Sequence, residues 1–99
     1  MRVITKRKLI EYYIKHPEAK SALEDWYDFA TKGNWTDFNQ LRKAWSNSVD
    51  YVGNNRYVFN IKGNSFRLIV IILFTPALIY IRFVGTHAEY DKIKDASKI

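Results

Sequence analysis

Residues 68–81 read LIVIILFTPALIYI, the most apolar run in the chain, and the interpretation of this run decides the fold. A membrane-crossing helix needs about 20 consecutive apolar residues. This run has fourteen, and Pro76 interrupts it. Two strands joined by a turn at Thr75-Pro76 satisfy both facts. FRLIVIILF (66–74) is apolar on both faces apart from Arg67, the pattern of a central strand covered on two sides. ALIYIRFV (77–84) then forms the last strand.

Upstream, RYVFNIK (56–62) alternates Tyr57, Phe59 and Ile61 with Val58, Asn60 and Lys62, which predicts a strand with one buried and one partly wet face. Lys62-Gly63-Asn64-Ser65 reads as a hairpin loop, and Val49–Val52 as a short strand before a turn at Gly53-Asn54-Asn55. Before Ser48 the period is helical. Thr5 is placed to cap a helix over 6–16, with Ile4 and Leu9 as a hydrophobic staple. Pro17 ends that helix and suits the first position of a second, along which Ala19, Ala22, Leu23, Trp26 and Ala30 keep helical spacing up to Gly33. Thr36 is placed to cap a short third helix whose Phe38, Leu41 and Trp45 share a face. All three tryptophans fall in or beside these helices, where they suit core packing against a sheet. The expected architecture is α+β: one domain over 1–99, with N-terminal helices packed on a three- to four-stranded, mainly antiparallel sheet and a short C-terminal helical turn.

Ninety-nine residues, 47% hydrophobic and 26% charged, suffice for one packed core. The absence of cysteine excludes a disulfide framework, a thiolate metal site and a cysteine nucleophile, and it fits a cytoplasmic protein. MRVITKRKLIEYY is basic but lacks an uninterrupted apolar segment and a small-residue cleavage site, so neither a secretory signal nor a membrane partner is expected. Net charge is +6, unevenly spread. Between Arg56 and Thr86 stand four cations, Arg56, Lys62, Arg67 and Arg82, and no acid, a pattern that suits either solubilising charge or a phosphate-facing surface.

Thr86-His87-Ala88-Glu89 matches a capping box, which assigns Glu89 a structural role. His87 becomes the first residue of a helical turn, beside free N–H groups that attract phosphate, and Tyr90 follows three residues on. Imidazole, with an unperturbed pKa of about 6.5, exchanges protons near neutral pH. Phenol can hydrogen-bond to phosphate or protonate a leaving group. With arginines nearby, these groups can cleave RNA through its own 2′-hydroxyl, without a metal or other cofactor. The alternative is a plain helix cap. Only two histidines are present, His16 and His87, with no carboxylate cluster at ligand spacing, and His16 before Pro17 reads as a helix boundary. No Walker loop, G-x-G-x-x-G or G-x-S-x-G occurs.

VFNIKGNSFRLIV (58–70) followed by YIRFVGTHAEYDKI (80–93) resembles the HigB family of bacterial type II toxins, within the RelE-like superfamily of ribosome-dependent mRNA endonucleases. HPEAK (16–20), DWYDFA (25–30) and GNWTDF (33–38) add weaker likenesses. The resemblance implies a protein that binds in the ribosomal A site, cuts mRNA there, and pairs with a HigA-type helix-turn-helix antitoxin through which it reaches operator DNA. By position it implies that Arg67 contacts the scissile phosphate and that Lys62 occupies an often-basic position. His87 stands where RelE proteins carry a second catalytic arginine. The pattern departs at Val58 and Asn60, where RelE proteins have lysines. On this reading Arg67 and Arg82 hold phosphate, Lys62 and Arg56 belong to the basic face, Lys92 makes incidental RNA contact, and His87 and Tyr90 share the proton transfers. Arg82 has a competing structural role, an ion pair with Asp91 or Glu89. Two rival functions remain: a basic RNA- or ribosome-binding module that does not cut, and a decayed toxin serving only as antitoxin-binding co-repressor.

Overall fold

Strand β4 (Phe66–Leu73) is the middle strand of a five-stranded sheet, as its two apolar faces require. The computed structural model describes residues 1–45 and 48–99. Antiparallel to β4 run β3 (Arg56–Ile61) on one side and β5 (Leu78–Thr86) on the other. β2 (Val49–Gly53) pairs antiparallel with β3 and forms one edge. The other edge is β1 (Arg2–Ile4), which lies parallel to β5 with Arg2 opposite Leu78.

β1 adds a strand to the three or four expected and changes the reading of the N-terminus. Thr5 does not cap α1 (Lys6–Lys15) through its side chain; its backbone is left-handed, at φ 71°. Its hydroxyl instead donates to the Ile81 carbonyl at 3.1 Å and accepts from the Ile81 N–H at 3.0 Å, extending the β1–β5 pairing by one side-chain rung. Pro17 opens a 3-10 turn (Pro17–Ala19) that leads into α2 (Lys20–Lys32), which ends at Gly33 as expected. α3 (Phe38–Ala44) is capped by Asp37 rather than Thr36: the Asp37 carboxylate accepts from the Gln40 N–H at 2.9 Å. A carboxylate at the N-cap also meets the positive end of the helix dipole.

The helices cover one face of the sheet. Leu9, Leu23, Trp26 and Leu41 pack there against Phe59, Ile61, Leu68, Val70, Ile79 and Ile81, all buried. Trp26 and Trp45 meet Phe59 edge-on, with ring centroids 5.5 and 5.9 Å apart, and the Trp45 indole N–H donates to the Asn60 carbonyl. Aromatic rings supply large apolar area and favour this edge-to-face geometry, so the tryptophans fill the role their spacing assigns them.

The opposite face is not open water. Val58 and Ile69, partners across β3 and β4, point there yet are only 3% and 0% exposed. The C-terminal segment accounts for this. It leaves α4 (His87–Asp91) at one end of the sheet and ends at the β2–β3 turn at the other, crossing the face between them. Asn54 donates to the Ser97 carbonyl, and Arg56 donates through Nε and Nη2 to the Ile99 main-chain oxygen at 3.0 and 2.8 Å. The partly wet face expected for β3 is therefore half covered by the chain itself.

Candidate active site

At the end of the sheet where β4 begins and β5 ends, residues far apart in sequence converge. Pairing sets Asn60, Arg67 and Gly85 side by side across β3, β4 and β5, on the face away from the helices. A bulge fixes which side chains of β5 reach that face. Ile69 pairs with Phe83 and Val70 with Ile81, leaving Arg82 as the extra residue. One extra residue inverts the inside–outside alternation beyond it. Val84 therefore packs on the helix-covered core, while Gly85 lies beside Arg67.

Gly85 also lets α4 close on the strand. A Cβ at this position would stand 2.5 Å from the Phe83 ring and 3.2 Å from Glu89 Cβ. α4 itself is held by the capping box read from the sequence: the Thr86 hydroxyl accepts from the Glu89 N–H at 3.1 Å, and Glu89 Oε1 accepts from the Thr86 N–H at 2.7 Å. That contact with the Thr86 N–H is the main cause holding the Glu89 carboxyl below its usual range, with smaller contributions from the Thr86 and Tyr12 hydroxyls and His16. The His87 N–H donates to the Ser65 carbonyl at 3.2 Å, tying α4 to the β3–β4 hairpin two residues before Arg67.

His87 and Tyr90, three residues apart on this short helix, take different partners. His87 Nδ1 lies 2.9 Å from Asp91 Oδ2, with the imidazole 48% exposed. An ionised carboxylate can only accept, so in the neutral ring this contact puts the proton on Nδ1 and leaves Nε2 as the acceptor. The Tyr90 ring has the Arg67 guanidinium 5.8 Å from its centre. Arg67 also donates weakly to the Asn64 and Phe66 carbonyls at 3.4 Å and retains donors for a ligand. A free imidazole nitrogen, a phenol and a guanidinium thus gather within one turn of helix and two strand ends. They can take a proton, give one, and neutralise a phosphorane.

The four-cation face read from the sequence does not exist as one surface. Arg56 lies at the far end of the sheet, its guanidinium committed to the Ile99 and Asn54 main-chain oxygens. Lys62 turns to the helix side, where its ammonium donates to the Glu18 carbonyl at 3.2 Å. Arg82, at the bulge, faces α1 and forms no ion pair with Asp91 or Glu89 among the described residues. Arg67 alone joins His87 and Tyr90, with Lys92 exposed at the C-cap of α4. Asp91 was missed by the sequence reading, although its position four residues after His87 was a signal. Tyr12 was missed too; its hydroxyl donates to Glu89 Oε1 at 3.4 Å and joins α1 to α4. Burial first, and then the charge and hydrogen bond of Glu89, push the Tyr12 phenol up to about 12.

Among the described residues no three His, Cys, Asp or Glu side chains gather as a metal site would require. Nor, among the described residues, is any helix long and apolar enough to cross a membrane. Comparison with known proteins assigns the class. Residues 19–93 match the HigB toxin family, the RelE-like toxic component of a toxin-antitoxin system, and the chain belongs to that family. The mRNA interferase toxin HigB of Escherichia coli K12 is 31% identical over 93 residues, covering 92% of this chain and 88% of its own length. The mRNA interferase HigB of Escherichia coli O6:H1 (strain CFT073) is 29% identical over 94 residues, 94% of this chain and 91% of its own length. The mRNA interferase HigB of Shigella flexneri is 31% identical over 93 residues.

Proposed function

We propose that this toxin-family chain is an endoribonuclease that cuts mRNA on the translating ribosome and so stops translation. The observation that carries the reading is the junction of β4, β5 and α4, which brings His87, its imidazole held by Asp91, to the strand ends that carry the Arg67–Tyr90 pair. The relatives bearing the name mRNA interferase support the substrate class. The ribosomal A site is the place of action. A HigA-type helix-turn-helix antitoxin is the partner that restrains the toxin and carries it to operator DNA.

In this mechanism His87 Nε2 takes the proton of the ribose 2′-hydroxyl, whose oxygen attacks the adjacent phosphorus. Arg67 neutralises the charge that builds on the non-bridging oxygens, and Lys92 adds positive field at the same end of the sheet. Tyr90, held beside Arg67, gives its proton to the departing 5′-oxygen. The products carry a 2′,3′-cyclic phosphate and a 5′-hydroxyl, and neither water nor a metal enters the bond-making step. The test is cleavage of a translated mRNA in a reconstituted system. His87→Gln keeps polarity and loses the proton shuttle, so the rate should fall roughly 10²–10⁴-fold, the usual share of one acid–base group. Full cleavage by His87→Gln, or products with a 5′-phosphate, would overturn the mechanism. A wild-type chain that blocks translation without cutting would favour the binding-module reading.

A further inference from the structure

Beside the candidate active site, α1 and the β5 bulge enclose a depression of about 400 Å³ lined by Lys8, Glu11, Tyr12, Lys15, His16 and Arg82. We propose that this depression holds the mRNA strand that flanks the scissile phosphate. The proposal rests on the RNA-cleaving function above and adds the path of the substrate.

Charge is the first argument. Lys8 and Lys15 are seven residues apart, two turns along one side of α1, which spaces them about 10 Å along the helix. Arg82 faces them from the bulge. None of the three makes an ion pair or a side-chain hydrogen bond among the described residues, and Glu11 is the single acid in the lining. The cations elsewhere on the second half of the chain differ: Arg56 and Lys62 are committed to carbonyls of the protein itself. Free cations along a trough suit a polyanion whose charges recur.

The second argument is the ring system in the same trough. Tyr12 and His16, one turn apart, stack with centroids 4.2 Å apart and planes inclined by 17°. A groove of cations flanking a stacked aromatic pair is the arrangement by which proteins hold single-stranded nucleic acid, because every base offers a face to stack. An acidic protein segment would use the cations and leave the rings without a purpose.

The third argument is continuity. From Arg82 the strand runs through Val84 and Gly85 to Thr86 and His87, and Tyr12 touches Glu89 of the helix that bears His87. The trough therefore abuts, from the helix-covered side, the helix that bears the proposed base, and one RNA strand would pass α4 from one to the other.

Salt dependence tests this on the full chain. In a His87→Gln background, which spares the RNA, binding of a fluorescent single-stranded RNA is measured over a range of NaCl concentrations with and without Lys8→Gln and Lys15→Gln. Each phosphate contact contributes about 0.7 to the log–log slope, so the double substitution should flatten it by roughly 1.4. The melting temperature should not move, since both lysines are exposed. An unchanged slope overturns the proposal, as does a pair of lysine substitutions that spares RNA binding and weakens capture by the antitoxin. An unchanged slope alongside normal mRNA cleavage by the wild-type chain sinks the trough alone; absence of cleavage sinks the proposed function instead.

Discussion

The two faces of the sheet are built on different principles. The helix-covered face is a continuous apolar layer in which Trp26, Phe59, Leu68 and Ile81 are wholly buried. The other face carries Asn60 and Arg67 beside Gly85, and a tail held at its far end by hydrogen bonds from Asn54 and Arg56. One face stores stability in packing. The other sets a few polar groups in place and leaves their donors available. Substitutions in the first should therefore unfold the protein, and substitutions of the polar groups at the α4 end of the second should stop it working while it stays folded.

The sharpest way to break that contrast is a pair of alanine substitutions on neighbouring strands. Phe59→Ala removes a ring packed between Trp26 and Trp45 and should cost about 3–5 kcal/mol, read as a large fall in the urea midpoint. Arg67→Ala should lose roughly 10²–10³ in cleavage rate, as when one charge-stabilising donor is removed, with the urea midpoint nearly unchanged. A collapse of the fold in Arg67→Ala would make Arg67 structural and erase the distinction.

Gly85→Ala probes the border between the faces. The added methyl must displace the Phe83 ring or push α4 outward, so His87 moves relative to Arg67. Misplacement of about 1 Å costs on the order of 10²-fold in rate. RNA binding in the trough should survive, which a cleavage and binding assay on the same variant would separate.

Arg56→Gln releases the tail. Loss of the part-buried hydrogen bonds from the Arg56 guanidinium to Ile99 should cost about 1 kcal/mol. Protection of residues 92–99 in hydrogen exchange should fall while the helix-covered core keeps its own. Equal loss on both faces would show that the tail is part of one cooperative unit with the core.

The smallest expected effect is acid dependence at the cap of α4. The Glu89 carboxyl is held below its ordinary value of 4.5, so its contribution to stability is present above that pH and fades as the pH falls through the depressed folded value. Glu89→Gln removes this dependence and should leave cleavage at neutral pH largely intact. Melting curves of the two proteins should converge in acid; curves that stay parallel would mean the carboxylate charge contributes nothing to the cap.

What the sequence showed and what it hid divide along the same border. Alternation in RYVFNIK and the two-sided apolar run of FRLIVIILF located β3 and β4 because burial against helices imposes a period on side chains. Thr86-His87-Ala88-Glu89 was legible because a capping box is a contact between near neighbours. β1 was not: three residues are too few to show a period, and their partners lie beyond residue 77. The bulge at Arg82 was hidden for a related reason, since Ile79, Ile81 and Phe83 continue the alternation in sequence that the structure breaks. That break decides which cations share a surface, and so the single basic face dissolved into separate places. The Arg56–Ile99 and Tyr12–Glu89 contacts join residues 43 and 77 positions apart, and a single sequence carries no record of such pairs.

The parallel pairing of β1 with β5 also has a consequence in time. Arg2 waits for Leu78, 76 positions later, and the helix that bears His87 follows the last strand directly. At about 5–20 residues per second, a ribosome needs roughly 4–15 s to bridge that interval. Helices form in about a microsecond, so α1 and α2 can be sampled long before the sheet that stabilises them can close. During its own synthesis the chain therefore exists for seconds without β5, α4 or the groups gathered around them. A toxin ordered in this way lacks the groups of its candidate site until β5 and α4 have been made.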